Sequence, residues 1–156
     1  TPFQWEPQEA GSSVELKQKH LRERLRDRRI KYNYHDMTTS YLEAVFAKGD
    51  RRLAPLLEWA VGHGCKFDGW SEEFLYDVWL EGFKELGIDP HFYANRAMDY
   101  DDILPWEHIE SGVSKEFLIE EHHRALQEAR TYDCRHENCT GCGVCPGRGV
   151  QIELKG

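Results

Sequence analysis

The sequence lacks any long apolar run. No stretch of its 156 residues approaches the roughly 18 apolar residues of a membrane-spanning helix. An apolar segment of the kind found in secretion signals is also missing behind the N-terminal residues. We therefore expect a soluble, cytoplasmic protein that has no membrane partner.

Cations are scarce and unevenly placed. Lys and Arg number 20 against 28 Asp and Glu, and the net charge of -8 argues against indiscriminate nucleic-acid binding. Eight of the 20 cations nevertheless fall between Lys17 and Lys31, so a contact with RNA is one interpretation of this segment. Glu15, Glu23 and Asp27 lie at pairing distances along the same helix. They favour the other interpretation, a salt-bridged surface helix.

Cysteines are few, and four of the five lie within twelve residues near the C-terminus. A disulfide framework would spread its cysteines to close long loops, and nothing in the sequence indicates secretion. In a cytosolic chain such a cluster predicts a metal centre. The spacing is C-x4-C-x2-C-x2-C, and the predicted ligands are Cys134, Cys139, Cys142 and Cys145. Cys65 stands alone and is expected to be a small buried hydrophobic residue.

The spacing favours a [4Fe-4S] cluster, with Zn²⁺ as the alternative. Consecutive x2 intervals let a tight backbone wrap one cubane. Gly141 and Gly143 permit positive φ and expose N–H groups to cluster sulfur. Four-cysteine zinc sites are also common, but most use two CxxC pairs separated by a longer loop. Free thiols, or His136 in place of Cys134, are further readings of the same segment.

The periodicity predicts a mainly α fold with one short orphan strand. The strand is expected over residues 30–34, where Ile and Tyr alternate with polar residues. It has no partner in this chain, so we expect its sheet to lie upstream. Helices are predicted over about residues 13–29, 40–48, 51–61, 71–86 and 114–130. The expected caps are Ser12, Thr39 or Ser40, Ser71 and Ser114. The 3–4 spacing that includes Trp79 and Phe83 predicts the apolar face of the fourth helix.

Four polar residues outside the cysteine cluster are candidates for substrate or cofactor contact. His35 and Asp36 follow the predicted strand, and ligands bind at the carboxyl ends of strands in α/β enzymes. Asp36 could equally begin a turn. Arg51 and Arg52 have guanidinium groups that suit carboxylates or phosphates, although ordinary charges at a helix start explain them as well.

The histidine pair His122-His123 lies on the last predicted helix. Adjacent helical residues point about 100° apart, so the two rings cannot chelate one ion from a single face. We expect a solvated helix face here.

Several segments resemble the C-terminal region of B12-binding-domain radical SAM proteins, an uncharacterised group. Residues 1–6, Thr-Pro-Phe-Gln-Trp-Glu, look like the end of the motif that closes the barrel in many radical SAM proteins. The terminal Cys139-Thr-Gly-Cys-Gly-Val-Cys145 is similar as well. The remaining similar segments are 35–36, 40–53, 104–109 and 112–118. The resemblance covers nearly the whole chain.

The resemblance implies a cobalamin-binding-like domain and a partial (β/α)6 barrel that cleaves S-adenosylmethionine, both in the rest of the same polypeptide. It also implies three segments here: the barrel end at 1–36, a helical domain at 37–130 and a metal-binding tail at 131–156. The catalytic C-x3-C-x2-C signature is absent, because the first gap is x4. We therefore expect an auxiliary cluster and no catalysis by this region alone.

Overall fold

The structure is a computed structural model that describes residues 1–136 and 138–150. Within these ranges the protein is mainly helical and has no β-strand, so the predicted mainly α class is confirmed. The elements are α1 Gly11–Arg24, α2 Met37–Ala47, a 3₁₀ turn Arg51–Leu53, α3 Ala54–Gly62, α4 Tyr76–Glu85, α5 Pro90–Ala94, α6 Lys115–Leu126 and α7 Val144–Gly147. None of the helices in the described part of the chain is long and apolar enough to cross a membrane.

The chain divides into two compact units. The first, called here the tail unit, combines Thr1–Glu6 with Met98–Gly156, and the second, the helical unit, is Pro7–Ala97. The three segments expected from the family resemblance describe the organisation of a longer polypeptide, and they stay a prediction.

The core of the helical unit is built from residues on facing sides of α2 to α5. Its buried side chains are Leu42, Val45, Leu53, Leu56, Ala60, Cys65, Trp79, Phe83, Tyr93 and Ala94. The predicted burial of Cys65 is confirmed. Gly82 lets α4 approach α3 closely, because a Cβ there would lie 2.7 Å from the Trp59 ring and 2.9 Å from Leu56 Cδ1.

The core of the tail unit is smaller and joins residues far apart in sequence. Trp5, Met98 and Leu104 are buried together. The backbone N–H of Met98 donates to the carbonyl of Trp5 at 2.9 Å, and Trp106 Nε1 donates to Gln4 Oε1 at 2.9 Å. The N-terminal residues are therefore held by contacts with a segment about 100 positions later.

The first helix and the segment behind it differ from prediction. Helix α1 ends at Arg24 rather than near 29. It begins at Gly11 after Ala10, with no side-chain cap hydrogen bond, so Ser12 is not its cap. Residues 30–36 form no regular secondary structure, so the predicted strand is not formed. A single strand has no neighbour to accept its ladder hydrogen bonds, and β-propensity depends on such neighbours.

Other helix boundaries are corrected or confirmed by their caps. Helix α2 begins after Asp36 rather than after Thr39 or Ser40, and α4 begins at Tyr76 rather than after Ser71. The predicted cap of α6 is confirmed, since Ser114 Oγ accepts a hydrogen bond from the N–H of Phe117 at 3.2 Å. The short helices α5 and α7 were not predicted.

Candidate metal centre

The four clustered cysteines lie in the tail unit. Cys139 is exposed and the other three are half-buried, with Cys145 inside α7. Cys134 sits in a turn that Asp133 closes. The Asp133 carboxylate accepts from the backbone N–H of Arg135 at 2.9 Å and from its guanidinium at 2.6 Å. The hydrogen bonds from the Arg135 guanidinium and from its backbone N–H hold the pKa of Asp133 down at about 2.

Two glycines shape the loop between Cys139 and Cys145. Gly141 has φ +74° and Gly143 has φ +91°, which confirms the predicted positive φ at both. Only glycine adopts this region without steric cost. The N–H of Gly141 donates to Cys139 Sγ at 3.4 Å. A backbone donor on a cysteine sulfur is the kind of contact that tunes iron–sulfur clusters.

The loop is anchored to the N-terminal end of α6. The N–H of Ser114 donates to the Cys142 carbonyl at 3.0 Å. A Cβ on Gly143 would lie 3.3 Å from the carbonyl oxygen of Gly112, so the two backbones pass close together. Arg148 Nη2 also donates to the carbonyl of Glu110 at 2.9 Å. The backbone at Cys142 and Gly143 is therefore anchored beside the start of α6.

The thiols themselves are not drawn together as a ligand set. Among residues 1–136 and 138–150, no three His, Cys, Asp or Glu side chains are arranged so that they could hold a metal ion. Thiolates gather around an ion because the ion offsets their mutual repulsion, so this loop would have to tighten on binding. The donor set and the glycine geometry fit a soft metal, and the choice between iron and zinc stays a prediction.

His35 and Asp36 lie in the helical unit, where Asp36 caps α2. Its carboxylate accepts from the N–H groups of Thr38 at 2.9 Å and Thr39 at 3.1 Å. Hydrogen bonds from the Thr38 side chain and from the Thr39 backbone lower the pKa of Asp36. The carbonyl of His35 accepts from Gln18 Nε2 at 3.3 Å. These contacts give Asp36 a structural task and favour the turn interpretation.

Removing this cap should cost stability. We expect Asp36→Ala to lower the free energy of unfolding by about 1 kcal/mol, because two N–H groups of α2 lose their acceptor. Asp36→Asn should lose only a few tenths, since an amide oxygen still accepts. Because the folded pKa of Asp36 is depressed, its contribution is complete above the unfolded value near 3.8 and fades as pH falls below it. Urea unfolding at pH 7 and at pH 3 checks both effects, and an equal loss in the two variants would contradict the cap.

Arg51 and Arg52 also lie in the helical unit, at the 3₁₀ turn. The guanidinium of Arg52 forms a two-point pair with Asp50, at 2.9 Å through Nε and 2.6 Å through Nη2. The same group lies 5.2 Å from the centroid of the Phe92 ring. Arg51 is exposed. Arg52 thus already has partners within the helical unit. This favours the interpretation of an ordinary charge at a helix start over a role in binding a carboxylate or phosphate ligand.

His122 is a residue whose role the sequence interpretation missed. It is only 5% exposed, so the expected solvated face is wrong for His122, although His123 is exposed. Nε2 lies 2.9 Å from Glu6 Oε1, and Nδ1 lies 2.7 Å from the Tyr100 hydroxyl. An ionised carboxylate can only accept, so Nε2 donates to Glu6. The signal was present: Leu118, Ile119 and His122 share a helix face.

Comparison with known proteins adds no relative. No family model, curated protein or solved structure matches the chain. The fold and the tail therefore define only a broad class of protein. The chain is mainly helical and carries a four-cysteine loop that is anchored beside α6. The radical SAM resemblance therefore stays a hypothesis.

Proposed function

We propose that this chain is the C-terminal domain of a cytoplasmic radical SAM iron–sulfur enzyme and that its tail holds an auxiliary [4Fe-4S] cluster. The ligands would be Cys134, Cys139, Cys142 and Cys145. S-adenosylmethionine and cobalamin would bind to the rest of the same polypeptide. In that polypeptide, residues 30–34 would pair with neighbouring strands of the barrel.

One observation carries the metal proposal: four cysteines within twelve residues share a loop whose two glycines have positive φ. The Gly141 N–H already donates to Cys139 Sγ, so the backbone offers the type of donor that stabilises charge on cluster sulfur. A surface loop without a ligand has no physical need for four thiols so close together.

Iron–sulfur is preferred to zinc because of the run of short intervals. Three cysteines spaced by x2 suit a cubane, whose corners are a few ångströms apart, whereas a single zinc ion draws its ligands from two separated pairs in most structural sites. When bound, a cluster ligated by these four cysteines would supply an electron relay. The chain's own residues would hold it and set its access to water.

Metal analysis tests the proposal directly. The protein should be produced anaerobically with added iron and sulfide and then desalted. We expect a brown protein with broad absorbance near 400 nm and about four iron atoms per chain, and with an EPR signal after reduction by dithionite. Inductively coupled plasma measurement of iron and zinc on the same sample gives the stoichiometry.

The alternative metal gives an unmistakable result. A colourless protein with about one zinc per chain would overturn the iron–sulfur proposal and indicate a zinc-stabilised binding module. A protein holding neither metal under reducing, metal-replete conditions would remove the metal centre altogether.

A further inference from the structure

The helical unit carries a strongly basic surface, defined here as residues 17–31 of α1 and the following segment together with Tyr32 and Tyr34. None of the 14 residues of α1 is buried, and even Leu16 is 68% exposed. A helix that buries no side chain gains little from packing, so its side chains are available for another partner.

Most cations on this surface have no carboxylate partner. Lys17 pairs with Glu9 at 2.5 Å and Arg29 pairs with Asp27 at 2.7 Å. In the described part of the chain, the other six form no ion pair within 4.0 Å: Lys19, Arg22, Arg24, Arg26, Arg28 and Lys31. Neither pair joins two residues of α1, because Glu9 precedes the helix and Asp27 and Arg29 follow it, so the predicted salt-bridged helix is not formed. The mutual repulsion of the six unpaired cations favours an anionic partner.

Aromatic rings lie beside these cations. Tyr32 and Tyr34 are stacked with ring centroids 5.3 Å apart and an angle of 29° between the rings. The guanidinium of Arg22 lies 5.3 Å from the Tyr34 centroid and donates to the Tyr34 hydroxyl at 3.2 Å. Tyr34 is 47% exposed, so part of its ring is open to a partner.

Residues of α1 and Tyr34 line an open groove of about 580 Å³. Lys19, Arg22 and Tyr34 are among its lining residues, as are Glu15 and Asp36. The Asp36 carboxylate is held by the α2 backbone. Cations and an aromatic ring thus border the same groove.

We propose that this basic surface binds single-stranded nucleic acid. Phosphates would pair with the free cations, and an unstacked base would lie against the ring of Tyr34 beside Arg22. Unpaired bases can stack on aromatic rings, whereas the bases of a duplex are already stacked within it. The two tyrosines therefore favour single-stranded over double-stranded nucleic acid. The proposal does not rest on the metal centre, because the surface lies in the helical unit and the cysteines in the other unit.

Fluorescence anisotropy with a labelled oligouridine RNA of about 12 nucleotides, and with the matching DNA, tests the proposal. We expect saturable binding that weakens with salt, with a log–log slope of about −0.7 for each phosphate contacted. Tyr34→Ala should weaken binding about tenfold, whereas Tyr34→Phe, which keeps the ring, should change it less than about twofold. Arg24→Ala with Arg28→Ala should weaken binding and reduce the slope by about 1.4.

The matched control is Lys66→Ala with Lys84→Ala, two exposed cations of the same unit outside the basic surface. It removes the same charge and should leave binding within about twofold. Equal losses in the control, an unaffected Tyr34→Ala, equal or tighter binding of a duplex, or binding only to anionic vesicles would each overturn the proposal. Circular dichroism establishes that each variant folds. Cys142→Ser should bind the RNA normally, so failure here and failure of the metal proposal are distinguishable.

Discussion

Cys142→Ser is expected to reduce the metal content of the reconstituted protein to below about a tenth of the wild-type value. A serine hydroxyl is a hard and weakly acidic group, whereas iron and zinc in such sites select soft thiolates. Cys142 is also the cysteine whose carbonyl is fixed by the Ser114 N–H at 3.0 Å. Iron and sulfide assays with the spectrum near 400 nm measure the loss.

The matched control is Cys65→Ala. Cys65 is buried in the core of the helical unit, where desolvation raises the pKa of its thiol and disfavours the thiolate that a metal needs. Its removal should leave the metal content unchanged and cost only a small amount of packing. If Cys142→Ser binds as much metal as the wild type, or if Cys65→Ala loses metal to the same extent, the four-cysteine assignment is wrong.

Substitutions of Cys134 and His136 extend the same test to the fourth ligand position. Cys134 lies in the turn that Asp133 and Arg135 close, and His136 follows in the same turn. Comparing Cys134→Ser with Cys134→Ser plus His136→Ala shows whether the imidazole substitutes as a ligand. Retention of metal in the first variant and loss in the second would assign the fourth position to His136.

Local sequence signals predicted the parts of the fold that local physics decides. The 3–4 spacing of Trp79 and Phe83 placed the buried face of α4 correctly, because a helix that repeats every 3.6 residues must turn these side chains to one side. Ser114 was also predicted correctly as a cap, because capping is a local interaction: the side chain accepts a hydrogen bond from an N–H two or three residues away.

The errors came from choices that tertiary contacts decide. Asp36, Thr39 and Ser40 are all good helix caps, and the sequence contains no rule for choosing among them. Residues 30–34 have β-forming side chains, but β-propensity has no effect without a neighbouring strand. The pairing of Gln4 with Trp106 joins residues 102 positions apart, and no short-range pattern encodes it.

The same distinction between local and tertiary determinants applies to the candidate site. The cysteine spacing and the two glycines were legible because a short loop is a local object, and the positive φ of Gly141 and Gly143 followed from residue type. The burial of His122 was not predicted, because two adjacent histidines suggest an exposed helix face while the position of His122 relative to Leu118 and Ile119 places it on the buried face. A histidine three and four residues after apolar neighbours belongs to their face of the helix, and burial is acceptable when both nitrogens find partners.

His122→Ala is accordingly expected to lower the free energy of unfolding by about 2–4 kcal/mol. The substitution removes two hydrogen bonds of about 1 kcal/mol each and leaves a small cavity beside Trp5, whose ring centroid lies 5.7 Å away. His123→Ala is the matched control, since the neighbouring ring is exposed, and it should change stability by less than about 0.5 kcal/mol. Urea unfolding followed by circular dichroism measures both.

A double-mutant cycle separates hydrogen bonding from packing at this position. Tyr100→Phe removes only the hydroxyl that lies 2.7 Å from Nδ1, so it should cost about 1 kcal/mol in the wild type. In the His122→Ala background the hydroxyl has lost that partner, and the same change should cost at least 0.5 kcal/mol less, as expected for two side chains in direct contact. Additive losses would mean that the Tyr100–His122 contact contributes nothing to stability. His122 would then act by filling space between Trp5 and the Tyr100 ring, and His122→Leu should retain most of the wild-type stability.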